Sequence, residues 1–222
     1  LLMLGIYRKL RLFRNFSLAP ILKGKNKMNI ANKVTLLRIS LVPVFIFFMI
    51  YNEFYMRVAA LLIFVIASIT DTIDGYLARK YKTVTDFGKF MDPLADKLLV
   101  SAAFISFVEI SELYVPSWMV IAIISREFII TGLRSIALTK NIIIPAAVAG
   151  KFKTTIQMIT IITILVILCI NSLLKEFFKI EPYAIPILKL TPFVLMFITT
   201  ILTLISGLSY IFKHKYLFLK NE

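Results

Sequence analysis

All five aspartates of this chain, Asp71, Asp74, Asp86, Asp92 and Asp96, fall within 26 residues. Such clustering needs a cause, and a solvated acidic loop would impose no particular spacing. Here Asp71, Asp74, Gly75, Ala78 and Arg79 follow i, i+3, i+4, i+7 and i+8, which at 100° per residue sets them in one arc of about 140° on a helix. Gly88, Asp92 and Asp96 repeat every four residues, and they share a face of the next helix if it begins before Gly88. The alternative is a helix that begins at Pro93 with Asp92 as its N-cap, because proline is comfortable at the first helical position. On either reading Asp92 and Asp96 occupy adjacent turns.

If the two helices pack side by side, Asp71, Asp74, Asp92 and Asp96 converge. Two ionised carboxylates 4 Å apart repel by about 4 kcal/mol at an effective dielectric of 20, so a metal-free cluster is strained. Hard divalent cations with oxygen ligands relieve the repulsion, and two of them can bridge carboxylates while leaving positions for phosphate oxygens. The one histidine, His214, and the one cysteine, Cys169, are distant in sequence, so zinc is disfavoured and Mg²⁺ or Mn²⁺ is expected. Gly75, Ala78 and Gly88 would clear bulk for a ligand approaching the backbone, or serve tight helix packing instead. Arg79 keeps its charge and forked donors for phosphate, with positive-inside anchoring as its plainer role. Asp86 falls outside the pattern and is read as a helix-start or solvated residue.

The elements that must position these groups are strongly apolar. Of 222 residues, 59% are hydrophobic and 17% charged, with a mean hydropathy of +0.89, where a soluble domain carries roughly 45–50% apolar residues even with glycine counted. That excludes a disulfide-built secreted module, and Cys169 is read as a buried structural thiol. The apolar runs approach the roughly 20 residues that cross a bilayer. The fold class expected is therefore all-α, a polytopic membrane protein with six transmembrane helices. Residues 29–40 mix apolar and basic positions as an N-terminal interfacial helix would, and the spans should cover 39–51, 57–80, 92–110, 117–138, 154–174 and 192–212.

The net charge of +14 points to anionic lipid headgroups or anionic substrates rather than nucleic acid. Residues 1–27 hold seven basic residues and no acid. They are expected to be an extension with no fold of its own, a basic surface helix or a targeting segment, preceding a membrane domain over 28–222. Arg79, Lys80, Lys82 and Lys89 lie between spans two and three, and Lys140, Lys151 and Lys153 between four and five. By the positive-inside rule both termini face the cytoplasm, with Lys175, Lys179 and Lys189 in the last outer loop as a counterweight.

The pattern Asp71-x2-Asp74-Gly75-x2-Ala78-Arg79-x8-Gly88-x3-Asp92-x3-Asp96 resembles the signature of the CDP-alcohol phosphatidyltransferases, with all eight fixed positions matched. The resemblance implies a six-helix membrane enzyme, usually a homodimer, that displaces CMP from a CDP-linked lipid with an alcohol acceptor and two divalent metal ions. It implies Asp71, Asp74 and Asp92 as shared metal ligands. Asp96 would be both a ligand and the base that takes the acceptor's proton. Gly75, Arg79 and Thr85 match positions that hold the cytidine diphosphate, and Ala78, Gly88, Asn32 and Thr35 are assigned to the same CDP-lipid site.

Span four carries Arg126, Glu127 and Arg134, and ionisable residues within a span are functional candidates by default. Arg126 and Arg134 are eight apart and are expected to face nearly the same way. With Lys151 and Lys153 they would make a pocket for an acceptor that itself carries phosphate. The plainer readings are ion pairing for Arg126 and Glu127, and snorkelling to headgroups for the lysines. The stretch from Asn29 to Gln157 resembles in particular the phosphatidylglycerophosphate synthases, through Asn-Ile-x-Asn-x-x-Thr-Leu-x-Arg at 29–38, Phe-Gly-Lys-Phe-Met-Asp-Pro-Leu-Ala-Asp-Lys at 87–97, Arg-Glu-Phe at 126–128 and Gly-Lys-x-Lys-Thr at 150–154. That implies CDP-diacylglycerol as donor and sn-glycerol 3-phosphate as acceptor, in a bacterial cell membrane with the active site on the cytoplasmic side. Ala31 departs from the proline usual there. A cardiolipin synthase of the CDP type, with phosphatidylglycerol as acceptor, is the alternative. A cation transporter would need acidic residues continuing across the bilayer, and apart from Glu109 at the rim the outer halves of the spans hold none.

Overall fold

From Ile30 onward the apolar runs become helix after helix. A computed structural model describes residues 30–81, 86–139, 148–180 and 186–213, with side chains described for 35–70, 94–95, 97–134, 137, 152–180 and 186–213. Among the described residues there is no strand. The helices are α1 (Ile30–Ile50), α2 (Phe54–Tyr81), α3 (Asp86–Glu109), α4 (Ser117–Thr139), α5 (Val148–Phe178) and α6 (Pro186–Lys213), with a 3-10 turn at Ser111–Leu113. The basic segment 1–27 and Thr85 lie outside the described residues.

The expected interfacial helix and first span are one helix, α1, with no break near residue 39. Nothing at residues 36–40 interrupts the hydrogen-bond ladder, and Pro43 lies inside the helix. The question left open at Pro93 is also decided. α3 starts at Asp86, ahead of Gly88, so Asp92 is not an N-cap and Asp86 is the helix-start residue.

Local chemistry ends the helices. Arg57 of α2 donates from Nη1 to the Met49 carbonyl oxygen at 2.9 Å and from Nη2 to Asn52 Oδ1. It thereby satisfies a carbonyl in the last turn of α1 that has no partner within the helix. The first amide of α2, Phe54 N, donates to Glu176 Oε2 of α5 at 3.0 Å. After α3, Tyr114 takes a left-handed conformation with φ of 51°, and Lys189 of α6 sits 4.8 Å from its ring centroid. α5 stops where Lys179 adopts φ of 53° and the Ile180 amide turns back to the Leu174 carbonyl oxygen.

Each helix buries one stripe. On α2 the stripe is Arg57, Ala60, Phe64 and Ala67, and on α3 it includes Leu99, Ala103 and Phe107. These meet Phe45 and Met49 of α1, Met119 and Ile123 of α4, and Ile161, Ile164 and Leu168 of α5 in one core. α5 touches α2, α3 and α6, while α4 packs on α3 and α6. The face of α6 turned inward is small and hydroxylic: Thr199, Thr200, Thr203 and Gly207 are buried. Thr199 Oγ1 and Thr160 Oγ1 of α5 share a hydrogen bond at 2.7 Å.

The outward faces are apolar too. Ile66, Ile105, Ile121, Ile159, Phe197 and Ile205 are among many large hydrophobics left exposed, which suits acyl chains better than water. Ser68, Thr70 and Thr131 donate to the carbonyls four residues back, so these hydroxyls need no solvent. Two segments, Phe152–Phe178 and Pro186–Lys213, are long and apolar enough to cross a membrane.

Candidate active site

The acidic residues sit on two helices whose register is unbroken. α2 runs through Asp71, Asp74, Gly75, Ala78 and Arg79, and α3 through Gly88, Asp92 and Asp96. The side chains of all eight, like those of Asn32 and Lys151, lie outside those described. Their positions on the helices are informative nonetheless. Residues 71 and 74 stand seven places after Phe64 and Ala67, and residues 92 and 96 seven places before Leu99 and Ala103, all four of them buried. Seven residues return a helix to within about 20° of the same face. By register alone the four acidic positions prolong the lines of those buried residues along α2 and α3, and both helices pack on α5.

Beside the second of these lines lies a cavity of about 60 Å³ between α3, α4 and α5. Its polar lining is Lys97, Ser101, Glu127, Lys153, Thr154 and Gln157. One water occupies about 10–15 Å³ of such volume, so the space admits a group larger than one water. Lys97 directly follows Asp96.

Glu127 organises the cations around this cavity. Lys153 Nζ pairs with Glu127 Oε1, Lys97 Nζ lies 3.9 Å from Oε2, and Arg126 Nη1 lies 3.4 Å from Oε1. Gln157 Nε2 donates to Oε1 at 3.4 Å. Lys153 and Glu127 are buried, so Lys153 turns inward instead of snorkelling outward. Three cations around one carboxylate leave a local charge of +2. That excess attracts an anion and is the main electrostatic feature of the described site.

Arg126 is held from the other side by α6. Its Nη2 donates to Ser206 Oγ at 3.0 Å, and its side chain lies across Gly207, where an added Cβ would come within 2.7 Å of Arg126 Cγ. Arg134 is exposed on α4. Eight residues turn a helix by 800°, or 80° past two full turns, which is why Arg126 and Arg134 do not share a setting. Of the four cations expected to form one pocket, Lys153 lines the cavity, Arg126 adjoins it through Glu127, Arg134 faces outward and Lys151 falls outside the described side chains. Thr35 is buried on α1, one turn from buried Arg38.

Sequence reasoning passed over Lys97, Gln157, Ser101 and Thr154, and named Glu127 as a candidate with ion pairing as its plainer role. A signal existed for two of them: Lys97 adjoins Asp96, and Gln157 follows Lys153 by one helical turn. Among the described residues no group of three or more His, Cys, Asp or Glu side chains could hold a metal.

Comparison with known proteins adds to this geometry. A family model described as CDP-alcohol phosphatidyltransferase matches residues 28–205. A protein of Bacillus subtilis (strain 168) named CDP-diacylglycerol–glycerol-3-phosphate 3-phosphatidyltransferase is 40% identical over 198 residues, covering 84% of this chain and 95% of that protein. Proteins of the same name from Rickettsia bellii (strain RML369-C) and Haemophilus influenzae (strain ATCC 51907) are 37% and 35% identical, over 82% and 83% of this chain and 93% and 92% of their own.

Proposed function

The chain belongs to the CDP-alcohol phosphatidyltransferase family, and on that premise we propose that it transfers the phosphatidyl group of CDP-diacylglycerol to sn-glycerol 3-phosphate, giving phosphatidylglycerophosphate and CMP. One observation carries the reading. Lys97, next in sequence to the proposed base Asp96, reaches the carboxylate of Glu127 together with Lys153 and Arg126, a phosphate-attracting cluster one residue along the chain from that base, which supports the reading. Its excess of +2 matches a phosphate monoester, which carries about −1.5 to −2 at neutral pH. Phosphatidylglycerol, a phosphodiester with one charge, matches it less well. This favours glycerol 3-phosphate over the cardiolipin synthase reaction.

In the proposed reaction the primary hydroxyl of glycerol 3-phosphate attacks the phosphatidyl phosphorus in line with the departing CMP. A new P–O bond forms, the pyrophosphate P–O bond breaks, and CMP leaves with the electron pair. Asp96 accepts the hydroxyl proton. Lys153, Arg126 and Lys97 hold the acceptor phosphate, with Glu127 fixing their heads. Arg79, Thr85, Gly75, Ala78, Gly88, Asn32 and Thr35 are assigned to the CDP-lipid. Asp71, Asp74, Asp92 and Asp96 would hold Mg²⁺ or Mn²⁺, an all-oxygen donor set that fits hard cations; when bound, such ions supply positive charge against the pyrophosphate. Their register in line with the buried residues of α2 and α3 supports this assignment.

The same reading has all six helices spanning a bacterial cell membrane, with the start of α1 at the interface. Both termini and the active site face the cytoplasm, anionic lipid surrounds the protein, and two copies associate. The test is CMP release by the purified protein from CDP-diacylglycerol with Mg²⁺ or Mn²⁺ and a panel of acceptors. Release is expected with glycerol 3-phosphate well above phosphatidylglycerol, inositol phosphate or serine, and Asp96→Asn should abolish it. Equal release with phosphatidylglycerol would reject the acceptor assignment.

A further inference from the structure

A second polar cavity lies at the other end of α5. Lys153 and Asn171 are 18 residues apart on that helix, about 27 Å at 1.5 Å per residue, close to the roughly 30 Å of a hydrocarbon core. This cavity, of about 40 Å³, is lined by Asn52, Arg57, Glu112, Asn171, Ser172 and Lys175. Asn171 is 4% exposed, and neither its Nδ2 nor its Oδ1 has a hydrogen-bond partner in the protein. A buried amide left unsatisfied on both sides is costly and calls for an occupant.

The lining specifies that occupant. Asn171 asks for at least one acceptor for the two N–H donors of Nδ2 and at least one donor to serve Oδ1. Arg57, buried at 2% exposure, and the exposed Lys175 supply two positive charges against the one carboxylate of Glu112, an excess of +1. A phosphodiester carries one negative charge and accepts from Asn171 Nδ2 and Lys175, with the positive charge of Arg57 behind them. An O–H or N–H on the same headgroup would donate to Asn171 Oδ1 and Glu112. Lys175 and Ser172 lie at the last turns of a segment able to span the membrane, at the depth where headgroups sit. The volume admits one polar group of such a headgroup, with the rest outside.

We propose that this cavity receives the headgroup of a membrane phospholipid that bears both a phosphodiester and an O–H or N–H donor, on the membrane face opposite the transfer site. The proposal rests on the membrane-spanning reading of α5 and is independent of the transfer reaction.

The test uses the full chain, delipidated in detergent, with binding of short-chain phosphatidylethanolamine, phosphatidylglycerol and phosphatidylcholine measured by native mass spectrometry. The first two should bind about tenfold more tightly than phosphatidylcholine, which has the phosphate but no donor. Asn171→Leu should erase that preference while CMP release, as a check on folding, persists. If Asn171→Leu does not fold, Lys175→Gln on the exposed rim should weaken the same two lipids several-fold. Three results would overturn the proposal. Phosphatidylcholine could bind as tightly as the others. Asn171→Leu could raise the thermal midpoint with lipid binding unchanged, as expected for a cavity holding only water. Finally, soluble glycerophosphoethanolamine could show the same Asn171-dependent binding as the lipids, which would assign the site to a free phosphate ester.

Discussion

Glu127 is the residue on which the described site turns. It is buried, and its two oxygens engage Lys97, Arg126, Lys153 and Gln157. Without it three cationic heads would face one another in a setting of low dielectric. Glu127→Gln keeps the shape and removes the charge. The thermal midpoint should drop, since breaking a buried pair costs about 3 kcal/mol. The uncompensated charge should then recruit anions more strongly, so millimolar inorganic phosphate is expected to raise the variant's midpoint by more than the wild type's. Scanning fluorimetry with and without phosphate measures both effects. Equal phosphate shifts would show that Glu127 does not balance an anion site.

At the scale of elements, α4 carries Arg126, one of the three cations proposed to hold the acceptor, and α6 sets it in place. Gly207 on α6 leaves room for the Arg126 side chain, whose Cγ lies 2.7 Å from where a Cβ would stand, and Ser206 holds the guanidinium. Gly207→Ala pits two effects against each other. Alanine favours the helix by about 0.5–1 kcal/mol, but the contact is with the root of the arginine chain, which cannot swing aside as a tip can. Arg126 should be displaced. A loss of about 1 kcal/mol in acceptor binding, roughly fivefold in KM for glycerol 3-phosphate, is expected with kcat and the KM for CDP-diacylglycerol little changed. An unchanged acceptor KM would leave Gly207 as a packing residue alone.

Across the whole molecule, charge and apolarity are the basis of the orientation proposed for it in a bilayer. The first cavity lies near the start of α5, and the second lies near its end, so the molecule has two polar ends separated by a hydrocarbon-thick middle. With both termini inside, Glu53→Cys should react with a membrane-impermeant maleimide in intact cells, and Lys213→Cys only after permeabilisation. Cys169, the sole native cysteine, is buried and keeps the background low. The reverse labelling pattern would invert the topology and move the transfer site to the outer face.

The helical fold class, the family and the acidic spacing were legible in the chain itself, because apolar run length and the 3.6-residue period are local properties. Among the described residues the six α-helices fall where the apolar runs lie, and Asp71, Asp74, Asp92 and Asp96 occupy helices as their spacing requires. Docking between helices decided the rest. Lys97, Glu127 and the Lys153–Gln157 pair meet from three separate helices, and no period encodes which faces of α3, α4 and α5 will oppose one another. For the same reason Arg126 and Arg134, near in sequence, part company: the 80° between them is small on paper but decisive once α6 covers one side of α4. Asn171 gave no sign of itself in an apolar run, and only the packing around it shows an amide closed off with nothing to bind.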